Sequence, residues 1–378
     1  MIYFIMFVLS TAFFYCSDKL EKKKTRYLFD LIGLLIPLLM ATLRAETVGN
    51  DVVGYIKPMY LCAKNSGNLI EYENLLLRQL NTRDLEWGFS LLGYIGTKLM
   101  NNIAGIFLID EIIMLMFVYL ALKKYNERIS IEYQLPKIKI FIGMFCYLTL
   151  FYNMSLSMTR QSMACSVVLY SIACLASKQY KRSVVAFVFS ISIHSTALVG
   201  VILIALYICV YRKWNRVRKL IIPIGVLFSM FGGKMYWLIM NFLNSFIAIP
   251  PRYLTYNYMW NQGNGVNWAF VYLISCAFFC LWVLMFKERK ENGYLLYLKY
   301  ITWFTLFLTP MSVAAANVSR ILYYFIYFFI ILFPMIANSG NRIKAKYKPV
   351  LPMMICTIFW MGSVLFNDYT GTLNYLLA

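Results

Sequence analysis

Long uninterrupted apolar runs are the feature that most limits what this chain can fold into. The runs 268–286 and 321–337 approach the ~20 residues that a helix needs to cross a bilayer. Lipid offers no hydrogen-bond partner to backbone N–H and C=O groups, so such runs must be helical, and the alternating pattern of a membrane barrel is absent. With 61% hydrophobic and 14% charged residues, the 378-residue chain is too apolar for a water-soluble fold. We therefore predict an all-α integral membrane protein.

The number of apolar runs predicts a polytopic helix bundle. We expect about ten to twelve transmembrane segments, of which two would be the arms of a short helical hairpin at 183–211. The other spans are predicted at 2–16, 27–43, 103–122, 138–152, 159–177, 219–232, 268–286, 294–309, 321–337 and 350–366.

The basic residues predict how the bundle is oriented. The formal net charge is +20, and 25 of the 36 Lys and Arg lie in six short segments between apolar runs. The positive-inside rule places these segments in the cytoplasm and both termini outside, and it makes 44–102 and 233–267 outer loops of a single membrane domain, 1–378. Because the charge is divided among short loops, with no basic arm or nucleic-acid motif, no nucleic-acid partner is expected. The six segments are 18–26, 123–139, 178–182, 212–219, 287–291 and 342–348.

Residues 183–211 cannot form one ordinary span. They are apolar for 29 positions, yet a basic segment flanks them on each side. One helix would need opposite sides of the membrane, and two full spans would need about 40 residues. Two short helices that meet near 192–196 satisfy both charge segments. His194, the only histidine, would then lie at the tip of the hairpin, deep in or across the membrane.

The two outer loops have different compositions. Loop 44–102 contains a moderately apolar stretch, 87–99, which predicts an interfacial helix, and loop 233–267 begins with an amphipathic stretch, 234–249. In the run 252–261, aromatic residues alternate with amides, which suits the faces and hydroxyls of sugars. The alternative is an ordinary aromatic belt at the membrane interface.

A small set of polar residues gathers near the predicted outer face. An arginine at the end of an apolar helix can simply reach the lipid headgroups. Several arginines together can instead bind a phosphate-bearing lipid, because a guanidinium stays charged and contacts phosphate through two hydrogen bonds. The set consists of Arg44, Glu46, Asp51, Glu86, Arg160, His194, Arg252 and Arg320.

His194 has two interpretations. It is either a buried histidine that bonds to a neighbouring helix, or a base or hydrogen-bond donor that acts on a phosphate or a sugar. Metal binding is disfavoured because the chain has no second histidine. No hydrolase nucleophile motif and no phosphate-binding glycine loop occurs, so neither a nucleotide nor another cofactor is expected.

Six stretches, in order along the chain, together resemble the EpsG/Wzy-like family of exopolysaccharide polymerases. They cover two outer-loop signatures, a central pattern and two later basic–aromatic elements. One departure is Asn50, where a small threonine is common in the family. The stretches are 44–55 (RAETVGNDVVGY), 86–89 (EWGF), 159–161 (TRQ), 194–198 (HSTAL), 252–256 (RYLTY) and 320–324 (RILYY).

The resemblance implies an enzyme of the bacterial cytoplasmic membrane. Such a polymerase transfers a growing glycan from undecaprenyl pyrophosphate to a sugar hydroxyl of an incoming lipid-linked repeat unit at the outer face. Its partners would be this lipid-linked oligosaccharide, the lipid bilayer and other polysaccharide export or assembly proteins. The implied catalytic residues are His194, Asp51 and Glu86. The implied pyrophosphate ligands are Arg44, Arg160, Gln161, Arg252 and Arg320. The implied sugar contacts are Tyr55, Tyr253, Tyr256 and Tyr323.

Other functions remain open from the sequence. A ligase would move finished glycan to a different acceptor, and a flippase or another transporter could share the arginines and aromatics. A transporter should show charged groups through the midplane and repeated halves, whereas here the charges gather at one face and no repeat is visible. A membrane acyltransferase is disfavoured because its histidine usually faces a cytoplasmic acyl donor.

Overall fold

The structure is a computed structural model of the chain. It describes residues 2–80, 85–212, 292–314, 316–339, 349–366 and 370–372, with short pieces between 219 and 245. Every regular element in these residues is a helix, so the predicted all-α class is confirmed. Two compact units are present, and each is described on its own. Unit 1 contains Met1–Ala197 and Phe329–Ala378, and unit 2 contains Leu198–Phe328. The single-domain organisation stays a prediction.

Unit 1 holds most of the described helices. Π-helical turns at Val52–Ile56, Tyr125–Ile129 and Met361–Leu365 adjoin α3, α6 and α16. The helices are α1 (Ile2–Lys19), α2 (Lys23–Thr42), α3 (Lys57–Lys64), α4 (Leu69–Leu80), α5 (Trp87–Met100), α6 (Ala104–Lys124), α7 (Ser130–Glu132), α8 (Ile140–Leu150), α9 (Tyr152–Ser157), α10 (Thr159–Ala176), α11 (Tyr180–Ile193), α15 (Phe329–Ser339) and α16 (Val350–Trp360). In unit 2 they are α12 (Val199–Tyr211), α13 (Gly293–Ala314) and α14 (Ala316–Ile326).

Three described helical segments are long and apolar enough to cross a membrane. They are α1, α2 and the continuous segment Ala104–Glu132, which contains α6. Shorter apolar helical segments, the last three of which include turns that are not α-helical, are Ile140–Leu150, Ser195–Tyr211, Ser319–Met335 and Val350–Leu365. The chain is therefore a membrane protein by helix length and composition, while the number and direction of its crossings stay predictions.

Helix α6 is the centre of unit 1. It packs against α2, α5 and α10, and α10 packs in turn against α11. The contact with α5 is close: a Cβ atom on Gly96 would lie 2.7 Å from the carbonyl oxygen of Gly105. Glycines at both positions let the two backbones touch, as small residues do between membrane helices. This contact fixes α5, and the residue that immediately precedes α5 is part of the site described below.

A buried aspartate joins the first helices to α6. Asp30 on α2 accepts hydrogen bonds from the hydroxyls of Ser17 on α1 and Tyr119 on α6. A carboxylate buried in an apolar bundle needs such partners, because an unsatisfied one costs several kcal/mol. The polar residues of this network therefore hold three apolar helices in register.

Several predicted helices are confirmed, with different bounds in places. The predicted break within 183–211 occurs at His194, whose backbone is extended (φ −154, ψ 126) between α11 and the 3-10 turn Ser195–Leu198. The helix predicted at 87–99 is α5. The hairpin arrangement, and the interfacial position of α5, stay predictions.

Two predicted spans differ from the structure. The span 321–337 is interrupted at Tyr327 and Phe328, between α14 and α15, although no glycine or proline marks that point. The span 138–152 ends at Leu150 and is followed by the short helix α9. The predicted span 268–286 and the amphipathic stretch 234–249 lie outside the described residues, apart from isolated positions of the latter.

Candidate functional site

Glu86 joins three parts of the chain through one carboxylate. Its Oε1 atom lies 2.8 Å from Nδ1 of His194 and accepts the backbone N–H of Ser195 at 2.8 Å. Its Oε2 atom accepts a hydrogen bond from Nη1 of Arg160 at 3.1 Å. The side chains of Glu86, Arg160 and His194 are 15%, 11% and 11% exposed. The cluster is thus largely withdrawn from water but remains accessible.

Helix ends place each member of this cluster. Glu86 immediately precedes α5, and its backbone is extended (φ −64, ψ 132). Its side chain makes no capping hydrogen bond to α5. Arg160 is the second residue of α10, and His194 follows the last residue of α11. Since α11 packs against both α5 and α10, the three helix ends meet.

The negative charge of Glu86 determines which ring nitrogen of His194 carries the proton. Burial alone would raise the pKa of this carboxyl group, but the hydrogen bond and charge of His194, the Ser195 N–H and the charge of Arg160 together lower it to about 2. An ionised carboxylate can only accept hydrogen bonds, so the proton between the two residues belongs to Nδ1 of His194. When the imidazole is neutral, Nε2 therefore carries the lone pair. Nε2 has no hydrogen-bond partner in the described part of the chain.

Arg160 is held by an aromatic ring as well as by Glu86. Its guanidinium carbon lies 3.8 Å from the centroid of the Tyr55 ring and 5.9 Å from that of Phe89. Stacking of this kind stabilises the cation and fixes the plane of the guanidinium. Among the described residues, the buried Nε atom of Arg160 has no hydrogen-bond partner, so one donor of the group is uncommitted.

The start of α10 offers further donors beside Arg160. The hydroxyl of Thr159 is buried without a partner in the described residues, and Met158 provides no side-chain cap to the helix. The first backbone N–H groups of a helix have no partner within it, and the helix dipole makes this end favourable for an anion. Arg160 and the uncapped end of α10 together form a site suited to a phosphate group.

The segment that carries Tyr55 is fixed by a glycine. Gly49 has φ +104, and a Cβ atom there would lie 2.0 Å from the carbonyl oxygen of Leu156. Only glycine permits this approach. The next residue, Asn50, donates its backbone N–H to Oγ of Ser157 at 3.3 Å. These contacts attach the segment to the junction of α9 and α10, directly before Arg160.

A second charged cluster surrounds Arg44. This arginine is 2% exposed, and its guanidinium lies 4.1 Å from the centroid of the Phe107 ring. Its neighbouring charges are Glu111 and Asp110 of α6. Sequence reasoning missed both acids. They could have been found from the sequence, because they are the only acidic residues inside the apolar run 103–122.

The structure brings together part of the predicted site. Glu86, His194, Arg160 and Tyr55 form one cluster. Arg44 lies in the second cluster, where Asp51 is a neighbouring charge of Asp110. Gln161 is buried in α10, next to Arg160 in sequence. In unit 2, Arg320 is half-buried and Tyr323 is buried in α14. Arg252, Tyr253 and Tyr256 lie outside the described residues. The functional roles of all these residues stay predictions.

No group of three or more His, Cys, Asp and Glu side chains that could hold a metal ion occurs in the described residues. The Glu86–His194–Arg160 cluster offers three groups for chemistry: an imidazole with a free lone pair, a carboxylate that fixes this imidazole, and a stacked guanidinium. They can remove a proton and stabilise an anion at neighbouring points.

Comparison with known proteins identifies the family. Neither a search of curated proteins nor a search of solved structures gave a match. The model of the EpsG family matches residues 27–377, a range that contains both charged clusters. The match covers nearly the whole chain, and the protein therefore belongs to the EpsG family.

Proposed function

We propose that this protein is a polysaccharide polymerase that lengthens a glycan carried on a lipid pyrophosphate at the outer face of the cytoplasmic membrane. The family suggests an exopolysaccharide or O-antigen polymerase-like role and a glycosyltransferase type of reaction. The observation that carries the specific proposal is the Glu86–His194–Arg160 cluster. It combines the base and the cation that this transfer requires.

His194 would activate the acceptor sugar. A hydroxyl of the incoming lipid-linked unit donates its proton to Nε2 of His194 as its oxygen bonds to the anomeric carbon of the growing glycan. The bond between that carbon and the pyrophosphate oxygen breaks, and the leaving pyrophosphate keeps the electron pair. Glu86 holds the imidazole in the required tautomer and stabilises the imidazolium that forms.

Arg160 would stabilise the leaving pyrophosphate. Its unpartnered Nε, the buried Thr159 hydroxyl and the uncapped end of α10 are donors placed in adjacent residues. Donors arranged before the reaction stabilise developing charge without reorganisation, and each one is worth about 10²- to 10³-fold in rate in other enzymes. The energy of the reaction comes from the pyrophosphate linkage itself.

The other sequence candidates keep subsidiary roles in the proposal. We assign Gln161, Arg252 and Arg320 to the pyrophosphate and Asp51 to acceptor orientation. Tyr55 contacts Arg160 in the structure, so its effect on the reaction passes at least in part through that arginine. The proposed sugar contacts are Tyr55, Tyr253, Tyr256 and Tyr323.

The product that accumulates without this protein tests the proposal. A deletion strain is expected to collect single lipid-linked repeat units on the outer leaflet, because assembly and outward movement of the units continue. Purified protein given only these units should lengthen them without ATP, nucleotide sugar or added metal, and should release lipid pyrophosphate. Chromatography and mass spectrometry of extracted lipid-linked sugars give the chain length.

The same extraction separates the alternative functions. A flippase deletion would leave single units on the inner leaflet, and a ligase deletion would leave long lipid-linked chains. Either pattern in the deletion strain would contradict the polymerase assignment. A strain that carries His194→Ala at normal expression should also accumulate single units on the outer leaflet. This result would show that the accumulation comes from loss of the reaction and not from loss of the protein.

Orientation forms a separate prediction. We expect both termini and the loops 44–102 and 233–267 outside, because most Lys and Arg lie in the alternate loops. Single cysteines at Asn65 and Asn261, in a cysteine-free background, should react with an impermeant thiol reagent in intact cells. Cysteines at Lys22 and Asn215 should react only after the membrane is opened. Labelling of Asn215 in intact cells would reverse the assignment.

A further inference from the structure

Two acidic residues lie buried about two turns into the apolar segment Ala104–Glu132. Asp110 and Glu111 of α6 are 1% and 0% exposed. None of their four carboxylate oxygens makes a hydrogen bond of normal length within the described residues, although Ser155 and Tyr147 are the polar neighbours of Glu111. Buried acids in a membrane helix are costly unless a positive charge balances them. The reaction proposed above does not use either residue.

Arg44 lies against the same part of α6, because its guanidinium is 4.1 Å from the ring centroid of Phe107, one turn before both acids. It is as deeply buried as they are, and its Nε atom has no hydrogen-bond partner in the described residues. Burial lowers the pKa of its guanidinium, and the charges of Glu111 and Asp110 oppose that change. Arg44 follows the end of α2 and begins the segment that carries Gly49 and Tyr55.

We propose that Asp110 and Glu111 keep one proton between them, so that the pair supplies the single negative charge that balances Arg44. We propose further that this buried cluster positions the segment from Arg44 to Tyr55 against α6. Arg44 then acts as a positioning residue instead of a pyrophosphate ligand. Through Tyr55, whose ring stacks on Arg160, the cluster sets the plane of the arginine in the candidate site. The effect on elongation rests on the proposed function, whereas the pairing of charges does not.

The charges around the two arginines support different roles. Arg44 faces Glu111 and Asp110, and Asp51 is a further neighbouring charge of Asp110. A pyrophosphate bound there would meet like charge at low dielectric, which is unfavourable. Arg160 has one acid as its ion-pair partner among the described residues, Glu86, whose carboxylate is also bound by His194 and the Ser195 N–H. Arg160 also lies at the uncapped end of α10. An anion is therefore less disfavoured at Arg160 than at Arg44.

Restoring charge balance is the test. Arg44→Gln leaves two buried acids without a cation, and Asp110→Asn with Glu111→Gln leaves a buried cation without an acid. Each of these variants should lower the Tm of the purified protein and reduce elongation about tenfold or more. The triple variant, in which all three residues are neutral, should recover the Tm and return elongation to within about threefold of wild type. Arg44→Lys keeps the charge and should behave like the triple variant.

Two results would overturn the proposal. If the triple variant regains the Tm but elongates no better than Arg44→Gln, then Arg44 acts on the substrate. If its Tm stays as low as that of Arg44→Gln, then the three residues are not a balanced cluster. Arg78→Gln, on an exposed face of α4, is the matched control and should change neither quantity. The Tm comparison needs no polymer, so it decides the pairing of charges even if wild-type protein fails to elongate lipid-linked units.

Discussion

Glu86→Gln is expected to reduce elongation by about 10³-fold or more, although the variant differs from wild type by only one atom and one charge. The glutamine amide has one acceptor oxygen and cannot accept from His194, Ser195 and Arg160 together. Its NH₂ group would face another donor, so either the histidine tautomer or the arginine position is lost. The rate with purified protein and lipid-linked repeat units measures the effect.

The control for Glu86→Gln is Glu71→Gln, which removes an exposed carboxylate from α4 and should leave the rate unchanged. A rate for Glu86→Gln within about tenfold of wild type would contradict the role of the carboxylate as the group that fixes His194. The protein must also reach the membrane at normal level, so that a loss of rate is not a loss of protein.

The pKa of Glu86 gives this prediction a pH dependence. Its value of about 2 lies below the usual 4.5, so the folded protein favours the ionised form. The resulting stability is fully present above the usual pKa and is lost as the pH falls toward the folded-state value. The difference in Tm between wild type and Glu86→Gln should thus be larger near pH 5.5 and should shrink below about pH 4.5. A difference that stays the same across this acid range would contradict the assignment.

Arg160→Ala is the second substitution with a large expected effect, and it should reduce elongation by about 10²- to 10³-fold. Alanine removes the cation that would face the leaving pyrophosphate and leaves Glu86 with His194 as its remaining side-chain partner. Arg160→Lys should recover only part of the rate, because an ammonium cannot form two parallel hydrogen bonds or stack as a plane on Tyr55. Polymer length in cells and the rate in vitro both measure this loss.

Arg78→Ala serves as the matched control for Arg160→Ala, because Arg78 is an exposed arginine of α4 that belongs to neither charged cluster. The same loss is expected for Arg252→Ala and Arg320→Ala. If two of these three arginine variants made normal polymer at normal expression, the pyrophosphate role of the arginines would be wrong.

Apolar runs predicted most helices because burial in lipid leaves few alternatives for the backbone. The break at His194 was also predictable, since basic segments on both sides of 183–211 exclude one span. The interruption at Tyr327 and Phe328 was not, because the surrounding aromatic residues are equally compatible with a continuous helix. Helices α3 and α4 were missed since the mixed charges of their segment resemble those of a loop.

The residues of the main cluster could be proposed from the sequence, but their arrangement could not. Glu86 is 74 positions from Arg160 and 108 from His194, and no local pattern predicts that one carboxylate contacts both. The predicted topology places all three residues near the outer face of the membrane, but it does not predict that they are in contact. Arg44 shows a second limit: its position at a helix end suggested a phosphate ligand, and no local pattern indicated that two buried acids of α6 are its neighbouring charges. Its role stays a prediction.

A substitution at Gly49 should change the activity of this protein but not its insertion into the membrane. The atoms nearest to a Cβ at position 49 belong to Leu156 and Ser157 and not to α1, α2 or α6, whereas Tyr55, on the same segment as Gly49, lies over Arg160. A side chain at this position would push that segment off Leu156 while the apolar helices stay folded. The product would be an inserted protein that still presents the end of α10 but stalls before transfer. Such a stalled form could hold its lipid-linked substrate long enough for the complex to be isolated.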